Sequence, residues 1–283
     1  MIVVLTFFTL IAFAANSLLC RMALGEQLID PISFTTIRLV SGALALLPIS
    51  RLVAESKSPQ QTEESWSSAV SLFAYAIAFS LAYVSLSTGM GALILFGSVQ
   101  VTMIGAALRA GEKLGPAQWS GLAAAMGGLI FLVLPGISAP NPTGAGLMCV
   151  AGIAWGVYSI RGKGVSTPVA MTAANFARSA PMAVIVSAVA ISSVKLQPVG
   201  ILLALISGVV TSGLGYVVWY KTLRRLTTTQ ASVVQLMVPV LAAFGGIIFL
   251  AEQVSVRLVA ASILILGGVA LAIASRRQPI VEE

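Results

Sequence analysis

The sequence contains no histidine and only 9% charged residues, and these absences exclude most of the chemistry of soluble enzymes. Without histidine there is no Ser-His-Asp triad, no His-Cys pair, no HExxH zinc site and no imidazole proton relay. Phosphate-binding glycine loops are missing as well, and Cys20 and Cys149 lack metal-ligand spacing. We therefore predict no enzymatic activity, no cofactor and no metal site.

Apolar residues dominate what is present: they make up 58% of the chain, and the mean hydropathy is +1.00. This composition predicts an integral membrane protein. Ten stretches match the roughly 20 apolar residues that a bilayer span needs. They cover residues 2–20, 31–52, 66–87, 90–108, 116–134, 143–160, 168–191, 198–220, 229–250 and 255–275. The first stretch lacks the flanking signals of a cleaved signal peptide, so we expect it to be retained.

The second half of the chain repeats the first at an offset of 140 residues. Matched pairs are Ala14/Ala154, Arg21/Arg161, Gly105/Gly245, Glu112/Glu252, Gly127/Gly267 and Gly128/Gly268. Because five is an odd number of spans, the second half must enter the bilayer from the opposite face. We predict an all-α integral membrane fold with ten transmembrane helices. They form two inverted five-helix repeats, residues 1–138 and 139–283, around a central cavity.

Basic residues are distributed unevenly between the predicted loops. With the N-terminus in the cytoplasm, three of the sixteen lie outside, two lie within spans and eleven lie on the cytoplasmic side. Those eleven are Arg51, Lys57, Arg109, Lys113, Arg161, Lys163, Lys221, Arg224, Arg225, Arg276 and Arg277. This positive-inside bias predicts a multi-pass protein of the cell inner membrane with both termini cytoplasmic. It also accounts for the net charge of +7 without nucleic-acid binding.

Short connections predict that sequential helices pack as antiparallel neighbours, and small residues mark close helix contacts. Gly152 and Gly156 form a GxxxG pair in span six, and Gly121 with Ala125 forms a similar pair in span five.

Amides and aromatic residues inside the spans form the candidate substrate site. The predicted substrate-binding residues are Asn16, Tyr75, Phe79, Tyr83, Phe96, Gln100, Trp155, Tyr158, Ser159, Tyr216, Trp219 and Gln235. Such a lining suits an organic solute with an apolar body and polar groups. Two alternatives stay open: aromatics near span ends, such as Trp66, Trp119 and Tyr220, also serve as interface anchors, and amides also tie helices together.

Pro239, Arg38 and Arg178 are the candidate gating or kink residues. Pro239 removes a hydrogen bond to the carbonyl of Gln235, which serves substrate binding or only a kink for packing or gating. Arg38 lies about 10 Å into span two and is expected to extend outward. Arg178 lies about 15 Å deep and is expected to bind a substrate carboxylate, to line a gate, or to pair with nearby carbonyls and amides such as Asn175.

Acidic residues occupy predicted loops, membrane boundaries and the C-terminal tail, with none near the middle of a span. Ion-coupled carriers usually keep a carboxylate at that depth. We therefore predict facilitated transport or exchange.

The duplicated halves, the Gly105/Glu112/Gly127-Gly128 run with its counterpart, and Pro239 within LMVPVLAAFGG resemble the EamA-type branch of the drug/metabolite transporter superfamily. The resemblance covers essentially the whole chain, although Val99 stands where the second half has Pro239. It implies an exporter whose cavity is lined by spans one, three, four, six, eight and nine. Within the superfamily the chain is most similar to the aromatic-amino-acid exporters.

The predicted function is export of small metabolites, with amino acids including aromatic ones the leading class, by alternating access. The expected partners are a small-molecule substrate and the lipid bilayer, with a monomer as the expected state. The alternatives are a multidrug or organic-cation exporter, a membrane enzyme for lipid-linked substrates, and a non-transporting scaffold.

Overall fold

The computed structural model describes residues 2–52, 66–109, 111, 115–134, 139–162, 165, 167–223, 225, 234–235 and 237–274. Within these ranges the chain is helical, and its only β-type pairing is an isolated bridge between Ile29 and Leu196. The main helices are α1 (Ile2–Gly25), α2 (Pro31–Leu52), α3 (Trp66–Tyr83), α4 (Thr88–Arg109), α5 (Pro116–Val133), α6 (Pro142–Gly162), α7 (Pro168–Val189), α8 (Pro198–Leu223), α9 (Met237–Leu250) and α10 (Val256–Ala274).

Proline marks where many of these helices begin. Five helices have proline as their first residue: Pro31, Pro116, Pro142, Pro168 and Pro198. The first helical position tolerates proline because its N–H group would have no partner inside the helix, and the fixed φ angle already suits the helix. The start of each of these five helices can therefore be read directly from the position of a proline in the sequence.

Seven helices in the described part of the chain are long and apolar enough to cross a membrane, namely α1 to α4 and α6 to α8. The stretches in α9 and α10 are shorter. The predicted ninth span began at residue 229, but residues 229–233 lie outside the described ranges. The structure therefore supports an all-helical, multi-pass membrane protein.

Connections that follow odd-numbered helices meet at one end of the bundle. Asp30, after α1, accepts a hydrogen bond from the backbone N–H of Lys195, before α8. Arg21, near the end of α1, donates to the carbonyl of Val84 after α3 and forms an ion pair with Glu252 after α9. Successive helices thus alternate in direction, as the charge distribution predicts.

The Asp30 carboxylate also starts α2. It accepts hydrogen bonds from the backbone N–H groups of Ile32 and Ser33 at 3.1 and 2.8 Å. Partial burial alone would raise the pKa of Asp30, but the N–H donors of Lys195, Ser33 and Ile32 outweigh it and lower the pKa. Asp30 is therefore an ionised N-cap that also joins two connections.

Sequential helices, which the short connections predict to be antiparallel neighbours, alternate in direction, but most of the packing joins helices that are not sequential. The largest interfaces join α5 with α10, α2 with α7, α3 with α6, α1 with α8, α2 with α8 and α4 with α6. Small residues explain part of this pattern, because Gly152 of α6 lies against the backbone of Leu95 in α4 and Gly156 lies against Thr102. The packing role predicted for this GxxxG pair is confirmed.

The interface between α5 and α10 is reciprocal. Gly128 of α5 lies against Ile265 of α10, and Gly268 of α10 lies against Ala125 of α5. Residues 125 and 265 are separated by the same 140 positions as residues 128 and 268, so each contact is the counterpart of the other. Neither position has room for a Cβ atom. At Gly128 it would lie 2.9 Å from the Ile265 side chain, and at Gly268 it would lie 2.6 Å from the backbone of Ala125.

Substitution of these two glycines tests the interface. We expect Gly128→Ala and Gly268→Ala to lower thermal stability in detergent, because overpacking typically costs about 1–3 kcal/mol. Gly127→Ala and Gly267→Ala are the matched controls, since nothing lies within 4 Å of a Cβ atom added there. The controls should keep or raise Tm, as alanine is favoured over glycine in helices by about 1 kcal/mol. Equal Tm values in all four variants would contradict the assigned contact.

Candidate substrate-binding site

Aromatic rings form a continuous column through the bundle. The column consists of Tyr83, Phe79, Tyr75, Trp155, Tyr158 and Tyr220, whose successive ring centroids are 4.7, 5.3, 5.0, 5.6 and 5.8 Å apart. Its first three members recur every four residues along α3, so they share one face. This face was predicted from spacing alone, and the structure places all three side chains in the interior.

The two ends of the column lie at opposite ends of the bundle. The Tyr83 hydroxyl donates to the carbonyl of Thr88, where α4 begins. The Tyr220 ring lies beside Gly162, where α6 ends. Tyr220 is 2% exposed, so its alternative role as an interface anchor is wrong, whereas Trp66 and Trp119 are 61% and 51% exposed and fit that role.

Asn16 organises the polar groups beside the column. Its side-chain oxygen accepts hydrogen bonds from Ser207, Thr211 and Ser212 of α8 at 2.7, 3.1 and 3.4 Å. Its amide nitrogen donates to the Tyr75 hydroxyl at 3.4 Å. One amide therefore connects α1, α3 and α8, which is the helix-tying role that sequence analysis left open for it, while its role in substrate binding stays a prediction.

The α8 segment that supplies these hydroxyls is π-helical over Ser207–Leu214. Such segments are rare and often occur at functional sites. Gly208, inside the segment, packs directly against the backbone of Arg38 in α2, where a Cβ atom would lie 2.9 Å from the Arg38 Cα. The glycine and the altered helical winding together bring α2 and α8 into close contact at this level.

Arg38 lies at the centre of this contact, and the expectation that it extends outward is wrong. The residue is only 1% exposed. Its Nε donates to Ser212 at 2.8 Å, and one terminal nitrogen donates to the hydroxyls of Tyr216 and Tyr75 at 2.8 and 3.2 Å. Depth along a helix does not fix the direction of a side chain, which is why the sequence estimate failed. Asn16, Arg38, Tyr75, Ser212 and Tyr216 are called the central polar network below.

Arg178, the counterpart of Arg38 at the repeat offset, has a different environment. It is partly exposed, and its guanidinium carbon lies 5.9 Å from the centroid of the Trp66 ring. Trp66 is itself exposed at the start of α3. Arg178 therefore reaches toward an end of the bundle. Of the two arginines, Arg38 is the one whose side chain is fully buried, whereas burial was expected for Arg178.

A small cavity lies where the column meets the central polar network. Its volume is about 10 Å³, the space of a single water molecule. Six predicted site residues line it: Asn16, Tyr75, Phe79, Phe96, Trp155 and Tyr216. Pockets for organic ligands usually measure about 300–1,000 Å³. The site is thus assembled but closed, and a substrate fits only after the surrounding helices separate.

The other predicted site residues do not line this cavity. Tyr83, Tyr158, Ser159, Trp219, Gln100 and Gln235 are all buried, with exposures between 0% and 5%. The ring centroids of Trp219 and Phe13 are 5.6 Å apart in an edge-to-face arrangement. The structure therefore brings the aromatic residues together but leaves the amides Gln100 and Gln235 away from the cavity wall.

Pro239 is buried near the start of α9. The helical break predicted at Gln235 also involves Leu236, which lies outside the described residues.

Sequence analysis missed several residues that line the cavity or form hydrogen bonds to Asn16. Phe13, Ser17 and Leu95 line the cavity, and Ser207 and Thr211 bind Asn16. Ser207 and Thr211 are four residues apart in an otherwise apolar span, so their spacing offered a signal. Phe13 and Leu95 offered none, because apolar residues surround them in the sequence.

A charged cluster closes the end of the bundle near Thr88. The Glu252 carboxylate accepts the Thr88 backbone N–H at 2.9 Å and forms a 3.5 Å ion pair with Arg21. Glu252 therefore stabilises the start of α4, while Arg21 binds the carbonyls of Tyr83 and Val84 at the end of α3. Glu112, the counterpart of Glu252, lies outside the described residues.

Metal binding finds no support in the described residues, where no cluster of three or more histidine, cysteine, aspartate or glutamate side chains occurs.

Comparison with known proteins agrees with the architecture. The sequence model of the EamA-like transporter family matches residues 1–134 and, separately, residues 142–274. An uncharacterized protein of Pseudomonas aeruginosa is 47% identical over 96% of this chain and 94% of its own length.

More distant relatives include two proteins described as uncharacterized transporters. One, from Archaeoglobus fulgidus, is 26% identical over 71% of this chain and 74% of its own length. The other, YoaV from Bacillus subtilis, is 25% identical over 88% of this chain and 89% of its own length. A crystal structure with 20% sequence identity has the same fold, with a TM-score of 0.64 over 95% of this chain and 99% of that one.

The central polar network leads to a stability prediction at Asn16. Asn16→Leu should lower the free energy of unfolding by about 1–3 kcal/mol, because it leaves buried hydroxyls of α8 without their acceptor. Asn16→Asp keeps an acceptor oxygen at the same place and should retain more of the stability. Thermal unfolding of the purified variants in one detergent measures both effects. A leucine variant at least as stable as the aspartate variant would contradict the assigned hydrogen bonds.

Proposed function

Because this chain belongs to the EamA-like transporter family, we propose that it exports small organic metabolites across the cell inner membrane. Amino acids, including aromatic ones, are the leading substrate class. Membership of the family makes the protein a membrane transporter of the drug/metabolite transporter superfamily. The substrate class, the direction of transport and the membrane are parts of the proposal.

The observation that carries the proposal is the aromatic column meeting the central polar network at one closed cavity. A wall with Phe13, Tyr75, Trp155 and Tyr216 suits the apolar body of an organic solute. Asn16 and the tyrosine hydroxyls supply orienting hydrogen bonds within the same wall. A passage for inorganic ions would instead need rings of carbonyl or charged oxygen ligands.

An inverted pair of five-helix repeats, residues 1–138 and 139–283, is the architecture that we propose for ten membrane spans. Three observations support it: the family model matches each half separately, the connections after odd-numbered helices meet at one end, and the contacts of Gly128 and Gly268 are reciprocal. These features are typical of transporters in which two halves surround a central site.

Alternating access follows from the closed cavity in this proposal. A space of about 10 Å³ admits no amino acid, so the two halves must move apart on one side and then on the other. The acidic side chains among the described residues, Glu26, Asp30 and Glu252, lie in connections between helices. Their positions favour facilitated transport or exchange over coupling to an ion held by a mid-membrane carboxylate.

An organic-cation exporter is the second candidate. The ring faces of Tyr75 and Trp155 favour it, because aromatic faces attract cations. The buried positive charge of Arg38 opposes it, since the guanidinium carbon lies 5.2 Å from the centroid of the Tyr75 ring. A cation in the cavity would therefore approach a like charge across one ring.

Topology provides the first test of the proposal. Single cysteines introduced near residues 1 and 283, in a variant without Cys20 and Cys149, should both be protected from membrane-impermeant thiol reagents in intact cells. A cysteine introduced next to Lys195 should react. Labelling of only one terminus in intact cells would contradict an even number of spans and with it the inverted repeat.

Transport in proteoliposomes provides the second test. Purified protein should catalyse counterflow of labelled phenylalanine or another amino acid, and Trp155→Ala should reduce the rate at least about ten-fold because it removes the central ring of the column. Gln235→Ala should also reduce transport if this buried amide reaches the substrate in another conformation. Trp119→Ala, at an exposed position, is the matched control and should transport normally.

Unchanged transport in both Trp155→Ala and Gln235→Ala would remove the cavity assignment. Competition by cationic dyes but not by amino acids would favour the second candidate, and the absence of any solute flux would support a non-transporting scaffold.

A further inference from the structure

Arg38 is a buried charge that forms no ion pair with the residues that the structure describes. Its contacts there are with the neutral side chains of Ser212, Tyr75 and Tyr216. A charge isolated from water and from any opposite charge is costly inside a membrane protein. An intramembrane charge of this kind is by default a candidate functional group, and an anion is the ligand that would complement it.

Unused hydrogen-bond donors point to the same ligand. One terminal nitrogen of Arg38 and the indole nitrogen of Trp155 are buried and have no acceptor among the described residues. Trp155 lines the cavity. Buried donors without acceptors are unfavourable, so a ligand that brings acceptor oxygens would relieve both sites at once.

Arg38 stands directly behind the cavity wall. Its guanidinium carbon lies 5.2 and 5.3 Å from the ring centroids of Tyr75 and Phe79, which both line the cavity. The hydroxyls of Tyr75 and Tyr216 accept hydrogen bonds from Arg38, and the Tyr216 hydroxyl donates to the Tyr75 hydroxyl at 3.4 Å, so the Tyr75 proton is left to turn toward the cavity. Arg38 therefore acts on a ligand in the cavity in two ways: its charge raises the electrostatic potential there, and it polarises the Tyr75 hydroxyl that faces the ligand.

We propose that this site selects organic carboxylates with an aromatic or similar apolar body, and that Arg38 is the residue that recognises the carboxylate. Trp155 and the Tyr75 hydroxyl donate hydrogen bonds to it, while the rings of the column hold the apolar body. This inference rests on the proposed transport function and narrows its substrate class.

The same geometry makes an ammonium group unnecessary. None of the described residues that line the cavity carries a negative charge, and Arg38 repels a second cation at this distance. Aromatic carboxylates without an amino group should therefore bind at least as well as the corresponding amino acids, and aromatic amines should not bind.

Three ligands of one shape separate these possibilities: 3-phenylpropanoate is an anion, phenylalanine is a zwitterion, and 2-phenylethylamine is a cation. Binding to the purified full-length protein is measured by ligand-induced thermal shift over a range of concentrations, and transport by uptake into proteoliposomes. We expect saturable binding and transport of 3-phenylpropanoate, and at least about ten-fold weaker binding of 2-phenylethylamine, as loss of one charge-assisted hydrogen bond predicts.

Variants of Arg38 test its role. Arg38→Met removes the charge but keeps an apolar side chain of suitable length, so it should weaken binding of 3-phenylpropanoate at least about ten-fold while Tm stays equal or rises. Arg38→Lys keeps the charge and should retain part of the binding. Arg51→Gln removes a charge from the exposed end of the same helix and should leave binding unchanged.

The outcomes separate the inference from the proposed function. If 2-phenylethylamine binds as well as 3-phenylpropanoate, or if Arg38→Met lowers Tm without changing the preference for the acid, the inference is overturned while transport stands. If 3-phenylpropanoate is transported and phenylalanine is not, the inference holds and the amino-acid class is overturned. If none of the three binds or crosses the membrane, both are overturned.

Discussion

Solvation of the Arg38 guanidinium by neutral side chains is the constraint on which the centre of this molecule depends. In lipid, water is not available to a buried polar group, so the protein must provide every partner. Ser212, Tyr75 and Tyr216, from two different helices, accept hydrogen bonds from two of the three guanidinium nitrogens. Asn16 then ties these helices to α1. The close approach of α8 to α2 at Gly208 and the hydroxyls of Tyr75 and Tyr216 together surround the Arg38 guanidinium with protein groups.

Much of the fold could be predicted because its signals are local. Prolines fix where helices begin, a four-residue spacing fixes the aromatic face of α3, and the glycine pair of α6 marks a close contact. The two arginines show where this approach stops. Position in a span gives the depth of a side chain, but its direction around the helix depends on neighbours that are distant in sequence, and the outward direction expected of Arg38 was wrong for this reason. Cavity volume likewise depends on the conformation rather than on the sequence pattern.

Charge is handled differently at the bundle end near Thr88 than at its centre. There Arg21 pairs with Glu252, and Asp30 accepts three backbone N–H groups, so charges near the water interface have partners. These contacts join connections from both halves of the chain and seal that end. Among the described residues, the charges at this end form ion pairs or accept backbone hydrogen bonds, whereas Arg38 at the centre contacts neutral side chains. Counting charged residues in the sequence does not reveal this difference.

The π-helical segment of α8 changes the geometry of everything beyond it. A π-helix holds more residues in each turn than an α-helix, so residues after Leu214 are rotated about the axis relative to an uninterrupted helix. A single helical wheel drawn from Pro198 to Leu223 therefore assigns Tyr216 and Tyr220 to wrong faces. The faces of the helix must therefore be assigned separately for the residues before Ser207 and for those after Leu214. Insertion or deletion of one residue within the segment would swing the downstream aromatic rings out of alignment with the rest of the column, even with every side chain retained.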